Sequence, residues 1–360
     1  GINPVELGGA PFALATDESV RVRARDLDLT LHTNTRCYVL PSIAGHVGAD
    51  AAGMILSEAP YHREAMSLLV DIGTNAEIVL GNNERLMAAS SPTGPAFEGA
   101  QISSGQRAAP GAIERVRIDR ETLEPRFQVI GSDLWSNESG FKKATKAMDI
   151  TGVCGSGIIE VIAEMYLTGI LSQDGVINGA LATKNKHIIP DGRTFSYVLS
   201  HGNHIIQISQ NDVRAVQLAK AALYAGIRLL MERMETETVD RIRLAGAFGS
   251  HIDVKYAMVL GLIPDCDLEY VSSAGNAAGT GATIALLNYE SRKEIEEIVR
   301  QVEKVETAVE VKFQEHFVDA MAFPHKTDSF PNLAKAVILP AETNMQNKSD
   351  TKQRRNKRRH

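Results

Sequence analysis

Leu68-Leu69-Val70-Asp71-Ile72-Gly73-Thr74-Asn75-Ala76-Glu77-Ile78-Val79-Leu80-Gly81 decides how the rest of the chain is read. An apolar run delivers an acid, a glycine and a hydroxyl to a tight turn, and a second apolar run leads away. Such a pattern predicts two strands joined by a short hairpin. The glycine lets backbone approach a ligand, and successive N–H groups with the Thr74 hydroxyl can hold a phosphate. Asp71, at the strand end, is placed to hold a hydrated Mg²⁺. An ordinary hairpin whose Asp and Thr cap their own backbone would read the same way, so the remaining sequence has to discriminate.

The 360 residues allow a large core and two or three domains. A hydrophobic content of 44% with 23% charged residues is that of a globular protein, and 29 glycines imply many tight turns. No apolar run approaches the ~20 residues that a bilayer span needs, and no signal peptide is evident. Neither a membrane anchor nor a membrane partner is therefore expected. Cys37, Cys154 and Cys266 are far apart and form no Cys-x-x-Cys pair, so no zinc or iron–sulfur site is written here. Sparse cysteines suit a reducing cytoplasm. From Lys348 to His360 there are seven Lys/Arg against one acid, a +6 tail on a body of −12. A body that acidic is a poor nucleic-acid binder, and residues 341–360 read as a disordered basic tail.

Other stretches carry candidate chemistry. Asp50 opens the helix-like Ala51-Ala52-Gly53-Met54-Ile55-Leu56, either as its N-cap or as a carboxylate aimed at water near a phosphate. Gly94-Pro95-Ala96-Phe97-Glu98-Gly99-Ala100 is a rigid loop whose Glu98 could order the hairpin amides or a metal-bound water. Arg115 to Asp119 alternates as a strand that pairs with Phe127 to Gly131. Thr151-Gly152-Val153-Cys154-Gly155-Ser156-Gly157 opens onto an amphipathic helix, suiting either an anion at its N-terminus or close packing. His201 and His204 flank a hairpin turn and lack a third ligand. Asp212 is expected to cap a helix from Val213 to Met234, with Lys220 and Arg228 on its outer face. Leu244-Ala245-Gly246-Ala247-Phe248-Gly249 brings bare backbone to a strand end, where a flat ring could lie. Gly275-Asn276-Ala277-Ala278 starts another small-residue helix, expected over Ile284–Tyr289, and Arg292 to Glu303 continues as a charged one. Val309 to Phe313 alternates as a strand, and Phe317 to Met321 is expected to be helical.

Taken in this order, these motifs resemble the C-terminal domain of the reductive activators of corrinoid proteins, from about residue 37 to about residue 325. The resemblance implies an α/β fold, an actin/sugar kinase/Hsp70-like (ribonuclease H-like) lobe with a mixed five-stranded sheet flanked by helices and accessory strands. By that resemblance, residues 1–60 are the end of a first lobe with a crossing helix. Residues 61–290 are the second nucleotide-binding lobe, and 291–340 are closing helices and a strand. Asp71 to Asn75 is similar to the second phosphate-binding turn, Ala245 to Gly249 to the adenosine-binding strand end, and Gly275 to Ala278 to the second connecting-helix motif. Asp50 falls where related sugar kinases keep the acid that orients the attacking group.

The implied cofactors are ATP and Mg²⁺, with Asp50, Asp71 and Glu98 catalytic. Gly73, Thr74, Asn75, Gly94, Gly155, Ser156, Gly157, Gly246, Ala247, Phe248, Gly249, Gly275 and Asn276 would bind the nucleotide. The implied partner is a corrinoid-carrying methyl-transfer protein, and the implied assembly a homodimer. The family's Cys-x4-Cys-x2-Cys ferredoxin pattern and its earlier Asp-x-Gly-Thr turn do not occur in this sequence. With Gly1 in place of Met, the chain is expected to be the C-terminal part of a longer activator, with its [2Fe-2S] cluster in the missing part. A sugar kinase-like phosphotransferase using Asp50 as base, and a non-enzymatic docking module, remain the alternatives.

Overall fold

The computed structural model describes residues 5, 14, 16–202, 204–249 and 251–340, without the side chains of residues 247 and 248. The basic tail expected over 341–360 lies outside the described residues, as does most of the stretch around Pro4 and Pro11.

A small antiparallel pair, β1 (Val20–Arg23) and β2 (Arg36–Val39), precedes helix α1 (Ala49–Glu58). Three consecutive antiparallel strands follow, β3 (Ser67–Ile72), β4 (Ala76–Gly81) and β5 (Leu86–Ser91). A second hairpin pairs β6 (Ile113–Ile118) with β7 (Pro125–Val129), as its alternation predicts, and leads through α2 (Phe141–Ala144) to α3 (Gly155–Leu167). The strands β8 (Ile188–Asp191), β9 (Thr194–His201) and β10 (Ile205–Ser209) form a separate sheet before the long α4 (Gln210–Arg233). The chain then passes through β11 (Arg241–Ala245), α5 (Gly246–Gly249), α6 (Val254–Leu260), β12 (Val271–Gly275), α7 (Ala277–Leu287) and α8 (Tyr289–Gln301). It closes with β13 (Glu303–Lys304), α9 (Val311–Asp319) and α10 (Pro331–Ala336).

The main sheet runs β12-β11-β3-β4-β5-β13, with β11 parallel to β3 and β12, and β13 parallel to β5. It is the expected mixed sheet with a two-residue sixth strand on the β5 edge. Both faces are covered, which is why β3 is apolar without interruption. Successive side chains alternate between faces. Leu68, Val70 and Ile72 enter the larger core with Ile78 and Leu80, shared with α3, α4 and α6. Leu69 and Val79 face the other way, onto Ala52, Ile55 and Ala285 of α1 and α7 and Ile295 of α8. Between α1 and α7 the backbones touch. A Cβ on Gly281 would lie 1.9 Å from the Gly53 carbonyl oxygen, and one on Gly53 would lie 2.8 Å from that of Ala278. The small residues of the Gly275–Ala278 region thus serve close helix packing.

Four expectations are corrected. Val309 to Phe313 is not a strand. The β5 edge is already occupied by β13, and α9 instead sets Phe313 and Phe317 four residues apart along one side (ring centroids 6.4 Å), with Phe317 packed on the main core. Asp212 is the third residue of α4, not its cap. Ser209 caps, accepting from the Asp212 amide at 3.2 Å, while Asp212 accepts from Ser209 N at 2.7 Å, a capping box. Lys220 is fully buried, not on an outer face. Its Nζ donates to the carbonyls of Ala322 and Pro324 (2.5 and 2.7 Å), and burial holds its pKa well below the usual lysine value. Arg228 is also largely covered, 3.5 Å from Asp328. Finally, α7 begins at Ala277 rather than Ile284 and breaks at Asn288, which caps α8 through the Glu290 amide.

Candidate functional site

The β3–β4 hairpin turns through Gly73, Thr74 and Asn75. Gly73 N donates to Asn75 O at 3.0 Å. The turn's other carbonyls are held by the loop after β5: Thr93 Oγ1 lies 2.8 Å from Gly73 O and 3.0 Å from Thr74 O, and Gly94 N donates to Thr74 O at 2.8 Å. Glu98 reaches the turn through the Thr74 hydroxyl rather than through the amides, with Thr74 Oγ1 donating to Glu98 Oε1 at 3.0 Å. With its carbonyls tied back, the turn leaves the Thr74 and Asn75 amides without an acceptor among the described residues. That is the polarity an anion needs.

Asp71 lies at the end of β3 in parallel register with Ala245 of β11, immediately before Gly246. Gly246 has φ +86°, and a Cβ there would stand 2.3 Å from Asp71 Oδ1, so only glycine fits against this carboxylate. Burial raises the Asp71 pKa, and the Asp50 charge adds to the effect. Asp50 itself sits in the first turn of α1. Gly48 is the cap there, and Asp50 Oδ1 accepts from the next amide, Ala51 N, at 2.9 Å. Its expected role as helix cap is therefore not the one it has, and the carboxylate is close enough to Asp71 to act on it.

Sequence reasoning missed Glu77. A three-residue turn makes position 77 the cross-strand partner of Asp71, and the two are in register. Burial first, then Asp50 and Asp71, push the Glu77 carboxyl up to about 7, with Ser90 Oγ 3.5 Å away. The register of the hairpin was the signal that could have found it. Three carboxylates thus share one electrostatic site. Among the described residues no three acidic, His or Cys side chains are near enough to ligate one ion directly, so a cation here would be held largely through water.

Gly246–Gly249 form a one-turn helix at the end of β11, as a bare strand end requires, and the side chains of Ala247 and Phe248 are outside the description. Gly275 has φ +60° with open space around it, and Asn276 caps α7 by accepting from Gly279 N at 2.9 Å. Gly155, Ser156 and Gly157 start α3 behind Cys154, whose Sγ lies 3.4 Å from Ser156 Oγ. A Cβ on Gly157 would meet Ile113 O at 2.4 Å. Close packing on β6 accounts for that glycine, and no hydrogen bond among the described residues joins this turn to residues 73–75. Buried Glu160 fastens the same helix to β6, accepting from Arg115, Arg117 and Val116 N.

Two large cavities flank the sheet. One of about 910 Å³ lies at the pole opposite Asp71, against Ala65, Asp240 and Arg241 where β3 and β11 begin. Another of about 650 Å³ adjoins the hairpin turn, with Asn75, Ser90 and Pro92 on one wall and residues 306–311, 313 and 314 among the rest. No helix among the described residues is long and apolar enough to cross a membrane.

Comparison with known proteins identifies the family and the fold. Residues 65–334 match the family model for the C-terminal domain of RACo, the ASKHA domain, and residues 1–63 match the RACo middle region. The corrinoid activation enzyme RamQ of Eubacterium limosum is 36% identical over 330 residues, covering 88% of this chain and 52% of that protein. The Co(II) methylated amine-specific corrinoid protein reductase of Methanosarcina barkeri is 30% identical over 239 residues, 64% of this chain and 41% of the relative. Among solved structures, a reductive activator for corrinoid,iron-sulfur protein superposes with a TM-score of 0.76 at 32% identity, over 89% of this chain and 50% of its own. The chain spans about half the length of the relatives it matches. Most of its residues fall within the family's C-terminal domain and the first 63 within its middle region, so the chain belongs to the RACo family of reductive activators of corrinoid proteins.

Proposed function

We propose that this chain is the ATP-binding part of an ATP-dependent reductive activator, which returns the cob(II)amide of a corrinoid methyl-transfer protein to the cob(I) state. The observation that carries the reading is the convergence of Asp50, Asp71 and Glu77 on a turn with open amides, against a strand end that admits only glycine. Burial and then the Asp50 charge raise the pKa of Asp71, burial and then Asp50 and Asp71 raise that of Glu77, and with no cationic side chain among the causes this pair suits a divalent cation. The residues therefore fit Mg²⁺ and a nucleotide.

ATP with Mg²⁺ would supply binding and hydrolysis energy for a conformational input to an otherwise uphill reduction. The Thr74 and Asn75 amides would bind phosphate oxygens, and Asp71 would help to hold the Mg²⁺, which would neutralise phosphate charge. Glu98 fixes the Thr74 hydroxyl, Asp50 orients a water, and Gly246 to Gly249 accept the adenosine. Catalysis by these groups is positioning and charge neutralisation. The electron source, a [2Fe-2S] cluster, is assigned to protein outside this chain, whose three cysteines are unpaired. The reading places the activator in the cytoplasm as a homodimer, with residues 1–60 completing a first lobe, 61–290 binding nucleotide and 291–340 closing it.

In the full-length protein, Asp71→Ala should lower ATP-dependent corrinoid reduction at least ~100-fold, as for removal of a group that stabilises developing charge. Unchanged ATP-dependent reduction in that variant would sink the assignment. A kinase-type activity would instead appear as ADP formation driven by a small hydroxylated acceptor.

A further inference from the structure

The cavity beside the hairpin turn is unlike a nucleotide pocket. Its walls are largely apolar, with Pro92, Ala308, Val309, Val311 and Phe313. Val309 is 63% exposed and Val311 82% exposed, large aliphatic groups presented to water at the start of α9. The carboxylates here are Glu306 and Glu310, and no Lys or Arg lines the space. Glu310 is paired with Arg233. Glu306 has no side-chain hydrogen bond or ion pair among the described residues. An apolar floor with an uncompensated acid selects an apolar segment that carries a cation.

The groove is also joined to the nucleotide turn. Asn75 belongs to both. Ser90 lines the groove while its Oγ lies 3.5 Å from Glu77, and its carbonyl accepts from Thr307 Oγ1 at 2.8 Å, which anchors the far wall. Whatever fills the groove presses on the backbone that presents the phosphate-binding amides. The two occupancies are thereby linked, and linkage is reciprocal.

We propose that this groove docks an apolar, Lys- or Arg-bearing segment of the corrinoid protein, and that Asn75 couples this docking to the nucleotide. The inference rests on the activator reading above, which supplies the partner. A second copy with this groove on the two-fold axis would set Glu306 and Glu310 against their own images. An anionic small molecule or membrane is repelled by the same acids.

The test uses the full-length protein and the corrinoid protein that it reactivates, purified in the cob(II) state. Binding is measured by calorimetry with and without MgATP, for wild type, Val311→Asp and Glu306→Lys. Val311 is exposed and Glu306 half-buried, so thermal melting of each variant verifies that the fold persists. The expected result is at least ~10-fold weaker partner binding in Val311→Asp and about 5-fold in Glu306→Lys, as for a truncated anchor and a reversed charge at an interface. MgATP affinity of the free variants should be unchanged, and reactivation should show a raised KM for the partner with kcat retained. Wild-type affinity for the partner in both variants overturns the groove assignment and leaves the activator reading intact. Failure of the wild type to reactivate or bind any corrinoid protein overturns the activator reading, and with it this occupant.

Discussion

Replacing Glu77 by glutamine should make the metal-free protein more stable at high pH and leave it unchanged at low pH. The ordinary glutamate pKa of 4.5 is pushed up to about 7 in the fold, by burial and then by Asp50 and Asp71. Below pH 4.5 the carboxyl is protonated whether the chain is folded or not, and it contributes no pH dependence. Between 4.5 and about 7 the unfolded chain ionises while the folded chain keeps its proton, so stability falls as pH rises. Above about 7 the loss is complete. The gap corresponds to about 3 kcal/mol at 1.36 kcal/mol per pH unit, and partial solvent access makes about 2 kcal/mol the working figure. For a chain of 360 residues that is a shift of roughly 3 °C in melting temperature. The assay is a series of thermal melts in a chelator from pH 4 to 8.5 for wild type and Glu77→Gln. The difference between the two curves isolates this side chain from the other groups that titrate. Were that difference constant across the range, the three carboxylates could not share a site and the electrostatic argument for a cation there would collapse.

Gly246→Ala combines a positive φ with a methyl 2.3 Å from Asp71 Oδ1, and should weaken MgATP binding by at least ~10-fold in calorimetry while the fold persists. Gly281→Ala gains about 1 kcal/mol of helix propensity but forces α1 and α7 apart, and should lower stability by about 1–3 kcal/mol in urea unfolding. Lys220→Met removes a costly buried amine yet strands two buried carbonyls, Ala322 O and Pro324 O. Unmade hydrogen bonds of about 1–3 kcal/mol each outweigh the relief, so the midpoint in urea should fall.

The hairpin was legible because it is local. Two apolar runs set the strands, the turn residues set the reversal, and Asp71 followed from its place before Gly73. Glu77 required one step more, the cross-strand register, and its pKa is raised like that of the acid read directly. Lys220 shows the opposite failure. Val213, Val216, Leu223, Ile227 and Leu230 mark a buried stripe on which position 220 falls, but residue type argued for the surface. The carbonyls that receive its amine lie a hundred residues downstream, and no local pattern announces them. Val309 to Phe313 was ambiguous for a different reason. Five alternating residues fit a strand or the face of a helix equally, and only the prior occupation of the sheet edge by β13 decides.

The contact between Gly53 and Gly281 bears on how the site could move. Where helices meet through side chains, sliding one past the other means resetting rotamers, and the interface resists until it jumps. Here carbonyl meets Cα, and no rotamer has to change. Asp50 stands one turn before that contact, and Asn276 opens the opposing helix. A small rotation about the crossing would therefore swing the Asp50 carboxylate relative to Asp71, a bearing placed within one helical turn of the chemistry.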